Sequence, residues 1–244
     1  RDSVASRGLG DVYKRQQQSE IRTTLVPRID VRRMMTMGLT EQKFSQGMST
    51  QQYIDQIKVN KQPFQDIYDA IKIPAASKEF FDGLEEPIKL VVFTADWCGD
   101  AMSTTPVILN LAEHSPKISV TVFNRDEELE LTNSYLAENR AGTVPVFVVL
   151  DGSMNEIARF IETAGELVPA IDAMDEVIAT EIASEPEDNA RAAGRARRTA
   201  FRVNHAQEWG EVILGAFHRV VAQGLSLPLG QRPAEDGTKW PPEG

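Results

Sequence analysis

The chain reads as an α/β protein with a mixed central sheet flanked by helices and helical extensions at both ends. Three observations predict this. From residue 88 onward, short apolar runs alternate with longer helical ones in the order β-α-β-α-β-β-α. Asp151-Gly152 separates the last two strand-like runs with the chemistry of a hairpin turn. Outside that block, residues 49–72 and 191–224 keep apolar side chains at helical spacing. A parallel crossover pair followed by an antiparallel hairpin makes the expected sheet mixed.

Each element has its own signal. Ser49 or Thr50 can cap a first helix carrying Tyr53, Ile54, Ile57, Phe64, Ile67, Tyr68 and Ile71, and Pro63 is expected to split it in two. A short helix is expected over 77–84, with Phe80, Phe81 and Leu84 as its apolar residues. Strands are expected over 88–94, 118–123, 146–150 and 157–161, and helices over 100–114, 129–138 and 167–182. Residues 184–190 read as an acidic linker. A C-terminal helix then carries Phe201, Trp209, Val212, Ile213, Phe217, Val220 and Val221, and the tail from Leu225 is rich in Pro and Gly. The stripe Phe201, Trp209, Ile213 and Phe217 is expected to pack onto the sheet domain rather than to form a partner groove. The domain organisation follows: 1–40 an artefactual or disordered segment, 41–86 a helical extension, 87–183 the sheet domain, and 184–244 the linker, helix and tail.

The start of the chain is unusual. It begins with Arg1, and Asp11-Val12-Tyr13-Lys14-Arg15-Gln16 with its upstream flank looks like a translated sequencing-adaptor end. Two starts of translation are then open: one of Met34, Met35 and Met37, or a start upstream of the given sequence.

Composition narrows the function classes. The net charge is −10, or −12 without residues 1–16, and an acidic chain repels phosphate backbones, so no nucleic-acid partner is expected. No apolar run approaches the roughly 18 residues that span a bilayer, so no membrane partner is expected. The single cysteine, Cys98, rules out an internal disulfide and argues against cysteine-based zinc binding. It fits a reducing, cytoplasmic setting. His114, His205 and His218 lack metal-ligand spacing, so neither a metal nor another cofactor is expected. Arg191, Arg195, Arg197, Arg198 and Arg202 read as a solvated face pairing with the acidic body.

The chemistry-bearing segment is Phe93-Thr94-Ala95-Asp96-Trp97-Cys98-Gly99-Asp100-Ala101, between a buried strand and a helix. A thiol at a helix N-terminus meets unpaired backbone N–H groups and the positive end of the helix dipole, and both favour thiolate. The carboxylates of Asp96 and Asp100 oppose this, unless Asp100 caps the helix and turns away. Elsewhere a lone cysteine reads as a small buried hydrophobe. The position after the strand gives this one a reactive reading.

The segment resembles the thioredoxin superfamily, whose strand ends in Trp-Cys-Gly-Pro-Cys. Trp97, Cys98 and Gly99 match, and Pro106 stands at the offset of the family's helix-kinking proline. Gly142-Thr143-Val144-Pro145 matches the family's cis-proline segment before the hairpin. The resemblance runs from about Ile88 to Ile182 and implies a thioredoxin-like fold. The nearest subgroup it is similar to is a set of bacterial proteins with an N-terminal helical extension and Trp-Cys-Gly-Asp-Ala or Trp-Cys-Gly-Asp-Cys. The resemblance implies Cys98 as the catalytic thiol and Trp97, Gly99, Asp100, Val144 and Pro145 around the substrate. Two departures matter. Ala101 stands where the second cysteine would be, and Val92 replaces the family's buried acid.

The implied function is single-cysteine thiol-disulfide exchange with protein or low-molecular-weight thiols and disulfides, an external thiol resolving the mixed disulfide. The alternative is a non-catalytic module that binds proteins through the groove around Trp97 and Val144-Pro145. A third is a redox sensor whose Cys98 pairs with another chain.

Overall fold

Two apolar layers sandwich one sheet, and their side chains alternate along its strands. The computed structural model describes residues 39–238. The expectations for the chain before Leu39 lie outside the described residues. Among these, β1 (Ile88–Thr94), β2 (Ile118–Asn124), β3 (Val146–Leu150), β4 (Glu156–Ile161) and β5 (Ala234–Gly237) form a sheet ordered β2-β1-β3-β4-β5. The β1/β2 and β4/β5 pairs are parallel, and β1/β3 and β3/β4 are antiparallel. Successive residues of a strand point to opposite faces. Leu90, Val92, Phe147 and Val149 accordingly join the larger core, and Val91, Phe93, Val146 and Val148 the smaller one. This is the mixed, thioredoxin-like sheet expected.

The N-terminal helices are α1 (Glu41–Phe44), α2 (Thr50–Gln56), α3 (Lys61–Ala70) and α4 (Ala75–Asp82). The break between α2 and α3 is not at Pro63. Pro63 sits in the first turn of α3, where a missing N–H leaves no hydrogen bond unmade. The chain turns instead at residues 57–60, with Asn60 in the left-handed region at φ 59°.

Helix α5 (Gly99–Glu113) follows β1 and is buried on every side from Ala101 to Ala112. A helix buried all round must be covered all round. Helix α3 and the C-terminal helices complete that cover. The expected helix over 129–138 is shorter: α6 spans Leu129–Asn133. The Thr132 and Ser134 hydroxyls bond back to the Glu128 and Leu131 carbonyls, and the Asn133 side chain accepts the Gly142 N–H at 2.7 Å. Such local bonds compete with helix continuation. In the hairpin, the Asp151 carboxylate accepts the Ser153 and Asn155 N–H groups, making the turn longer than Asp151-Gly152.

After α7 (Val168–Ile182), the acidic stretch enters a helix at Glu187 rather than remaining a linker, as suits acids at a helix N-terminus. The expected single C-terminal helix is two: α8 (Glu187–Asn204) and α9 (Ala206–Ser226). The break falls at His205, whose ring stacks on Phe201 and whose Nδ1 bonds the Phe201 carbonyl at 2.8 Å. The arginines of α8 pair with acids, Arg191 with Glu187, Arg197 with Glu181 and Arg198 with Asp175, as a solvated face would. Three residues of the expected apolar stripe pack into the core, and the fourth, Phe201, is half-buried against His205 and Trp209. Trp209, Ile213 and Phe217 are buried, and Phe217 meets Phe81, Phe147 and Phe160. Gly224 lets α9 approach β4: a Cβ there would lie 2.1 Å from the Ile157 carbonyl oxygen.

Because Phe217 joins α9 to both α4 and the sheet, F217A is expected to cost about 3–5 kcal/mol, read by denaturant unfolding. A loss below about 1 kcal/mol would contradict this packing.

Candidate active site

The corner between β1 and α5 is fixed from both sides. At the end of β1, the buried Thr94 hydroxyl shares a 2.9 Å hydrogen bond with Thr105 of α5. The Asp96 carboxylate accepts the Lys58 and Val59 N–H groups at 2.8 and 3.0 Å, and Asn60 donates to the Asp96 carbonyl. Asp96 therefore ties the corner to the N-terminal helices, and its charge is taken up there. Cys98 is the N-cap of α5 in extended backbone, and its carbonyl accepts the Met102 N–H at 2.9 Å.

The sulfur is half-buried. Its S–H donates to the Val144 carbonyl at 3.5 Å, next to the cis Val144–Pro145 peptide. Val144 and Pro145 are buried, and the Pro145 carbonyl accepts the Glu162 N–H. Trp97 is 50% exposed, yet its ring is oriented. Its Nε1 donates to Asp126 at 2.8 Å, and the Arg125 guanidinium lies 5.1 Å from the ring centroid. Gly99 and Asp100 form the first turn of α5. Trp97, Gly99 and Asp100 thus flank Cys98 along the chain, and the buried Val144 and Pro145 stand behind its sulfur.

Burial is the largest influence on the thiol and pushes it above its ordinary value. The Ala101 N–H opposes this, the Asp100 carboxylate adds to it, and the Asp100 N–H and the Arg202 guanidinium oppose it. Donation to the Val144 carbonyl acts in the same direction as burial, because only the protonated thiol can make that bond. The helix terminus is therefore present, but it does not win. Asp100 does not cap the helix either. Its carboxylate accepts from Arg202 Nη2 at 2.7 Å. Ala101 and Val92 are both buried and supply no sulfur and no acid at the family's positions.

Two neighbours were hidden in the sequence. Tyr53, one of the apolar residues of a helical pattern, places its phenol near Thr94, Asp96 and Cys98, and burial pushes it up to about 12. It is a neutral hydroxyl at cellular pH, not a base. Arg202 is 7% exposed and belongs to the site rather than to the solvated face of α8. Only tertiary packing reveals either. Beside Asp100, Glu162 pairs with Arg140 at 3.1 Å and accepts from the Thr238 hydroxyl. Among the described residues no cluster of His, Cys, Asp and Glu could hold a metal, and no helix is long and apolar enough to cross a membrane.

Comparison with known proteins places this geometry in context. A family model described as thioredoxin matches residues 47–177. A thioredoxin of Chlamydia pneumoniae is 32% identical over 87 residues, covering 35% of this chain and 79% of that protein. A crystal structure of a Pseudomonas aeruginosa protein of unknown function aligns with a TM-score of 0.56 at 16% identity. It covers 77% of this chain and 99% of that one, so the shared fold extends beyond the stretch that the family model matches.

Since the thiol is held above its ordinary value, thiolate is the minor form at neutral pH. Alkylation of Cys98 is therefore expected to climb about tenfold per pH unit through neutrality, without levelling off below the ordinary thiol range. A plateau near neutral pH would show that the helix terminus outweighs burial.

Proposed function

The chain belongs to the thioredoxin family, and on that premise we propose that it carries out single-cysteine thiol-disulfide exchange at Cys98. The observation that carries this reading is the half-buried sulfur at the start of α5, facing the carbonyl of the cis Val144–Pro145 peptide. An extended protein segment or a small disulfide meets the Trp97 and Val144 surface. The Cys98 thiolate then attacks one sulfur of that disulfide. A Cys98–substrate disulfide forms, and the other sulfur leaves as thiolate and takes up a proton. With Ala101 in the resolving position, an external thiolate attacks the mixed disulfide and releases Cys98. The partners are protein or low-molecular-weight thiols and disulfides, in a reducing compartment such as the cytoplasm.

A second reading rests on the raised thiol and the missing second sulfur. There the groove binds an extended protein segment without turnover, and Cys98 is a packing residue. Both readings share the surface around Trp97 and differ only in the sulfur.

With glutathione disulfide as the probe, intact-mass measurement is expected to show one glutathione adduct per chain. That adduct should persist in buffer and disappear when a monothiol is added, and C98S should form none. An adduct that never forms in the folded chain, or that releases itself without added thiol, would overturn single-cysteine exchange. In the first case, partner capture retained by C98S would establish the binding module.

A further inference from the structure

We infer that Arg202, contributed by helix α8, is a positioning residue of the cysteine site: it neutralises Asp100 beside Cys98 and so sets how readily the thiol ionises. This inference rests on the exchange reading above and names a residue outside the stretch that matches the thioredoxin family, residues 47–177.

The geometry supports it at three points. Arg202 Nη2 donates to Asp100 Oδ1 at 2.7 Å, with the arginine side chain 8% exposed and the aspartate 36%. Gly99, between Cys98 and Asp100, makes room for the guanidinium. A Cβ on Gly99 would lie 2.5 Å from Arg202 Nη1, and Gly99 is not among the glycines with positive φ. A side chain at residue 99 would therefore press on the guanidinium and not on the backbone. Finally, Arg202 Nε is buried without a hydrogen-bond partner. A buried guanidinium with an unmade bond is a poor source of stability compared with an apolar side chain of similar volume. What the guanidinium supplies to the site is its charge, which acts on Cys98 and opposes that of Asp100.

That charge acts on a short list of groups around the sulfur. The Asp96 carboxylate is occupied by the Lys58 and Val59 N–H groups. The Tyr53 phenol from α2 stays neutral. Glu162, at the end of β4, faces Asp100 and pairs with Arg140. The Asp100 and Ala101 N–H groups are fixed backbone donors to the sulfur. Asp100 and Arg202 are thus the charged side chains that act on the thiol. Without Arg202, Asp100 repels the thiolate. Without Asp100, the guanidinium draws it out.

The test compares alkylation of Cys98 by iodoacetamide across neutral to alkaline pH in the full chain, with thermal melting recorded for each variant. R202M is expected to move the profile to higher pH and to slow alkylation at neutral pH by about tenfold. D100N is expected to move it to lower pH, R202M/D100N to lie between the two, and R202K to keep most of the wild-type profile. G99A, which pushes on the guanidinium, should shift in the direction of R202M. A merely structural Arg202 would lower the melting temperature of R202M and leave the profile in place, which overturns the inference. Should R202M fail to fold, D100N decides: an unchanged or upward-shifted profile overturns it. If the wild type forms no glutathione adduct while these shifts appear, the exchange reading fails and the role of Arg202 stands.

Discussion

The burial of α5 is the constraint on which the rest depends. From Ala101 to Ala112 no face of this helix meets solvent. The sheet covers one side through Leu90, Val92 and Phe147. The remaining sides need helices that a sheet domain of residues 87–183 alone does not supply. Helix α3 closes one flank, and α9 closes another. Each large apolar side chain withdrawn from water contributes about 1.5–3 kcal/mol before entropy is counted. The extensions are therefore part of the core.

This packing decides the character of the cysteine. Cys98 sits at the N-terminus of that buried helix, so it inherits both the exposed N–H groups and the apolar surroundings. The two act in opposite directions on the thiol, and burial is the larger. The covering helices also bring polar groups to the same corner. The loop after α2 supplies amides that hold Asp96, α2 supplies the Tyr53 phenol, and α8 supplies Arg202. A thioredoxin-family site has thus acquired surroundings from both ends of the chain. The empty second-cysteine position is consistent with them, because Ala101 is packed within the core rather than facing a substrate.

What the sequence made legible was whatever chemistry is local. Trp97-Cys98-Gly99 between a strand and a helix, Pro106 within that helix, and Val144-Pro145 before a hairpin are short-range patterns. The corner, the cis peptide and the mixed sheet stand where those patterns point. The parts that were not legible depend on distant partners. Pro63 carries the same signal at the start of a helix as at its end, and the actual break relies on Asp96, 36 residues from Asn60. The helical period runs straight through His205, so the turn between α8 and α9 left no mark. Ala234-Glu235-Asp236-Gly237 has little strand character, and the edge of β4 made it a strand. Arg202 shares its helix with arginines that do face solvent, and its carboxylate partner lies 102 residues away.

Shared burial makes the cysteine helix and the C-terminal cover one cooperative unit. Native-state hydrogen exchange on the full chain under rising denaturant tests it most directly, comparing peptides over 102–112 of α5 with peptides over 209–221 of α9. Both segments are expected to exchange through the same opening, with equal free energy and equal denaturant dependence. Loss of protection in 209–221 at denaturant levels where 102–112 stays protected would contradict it, and would make the C-terminal helices an appendage rather than part of the core that carries Cys98.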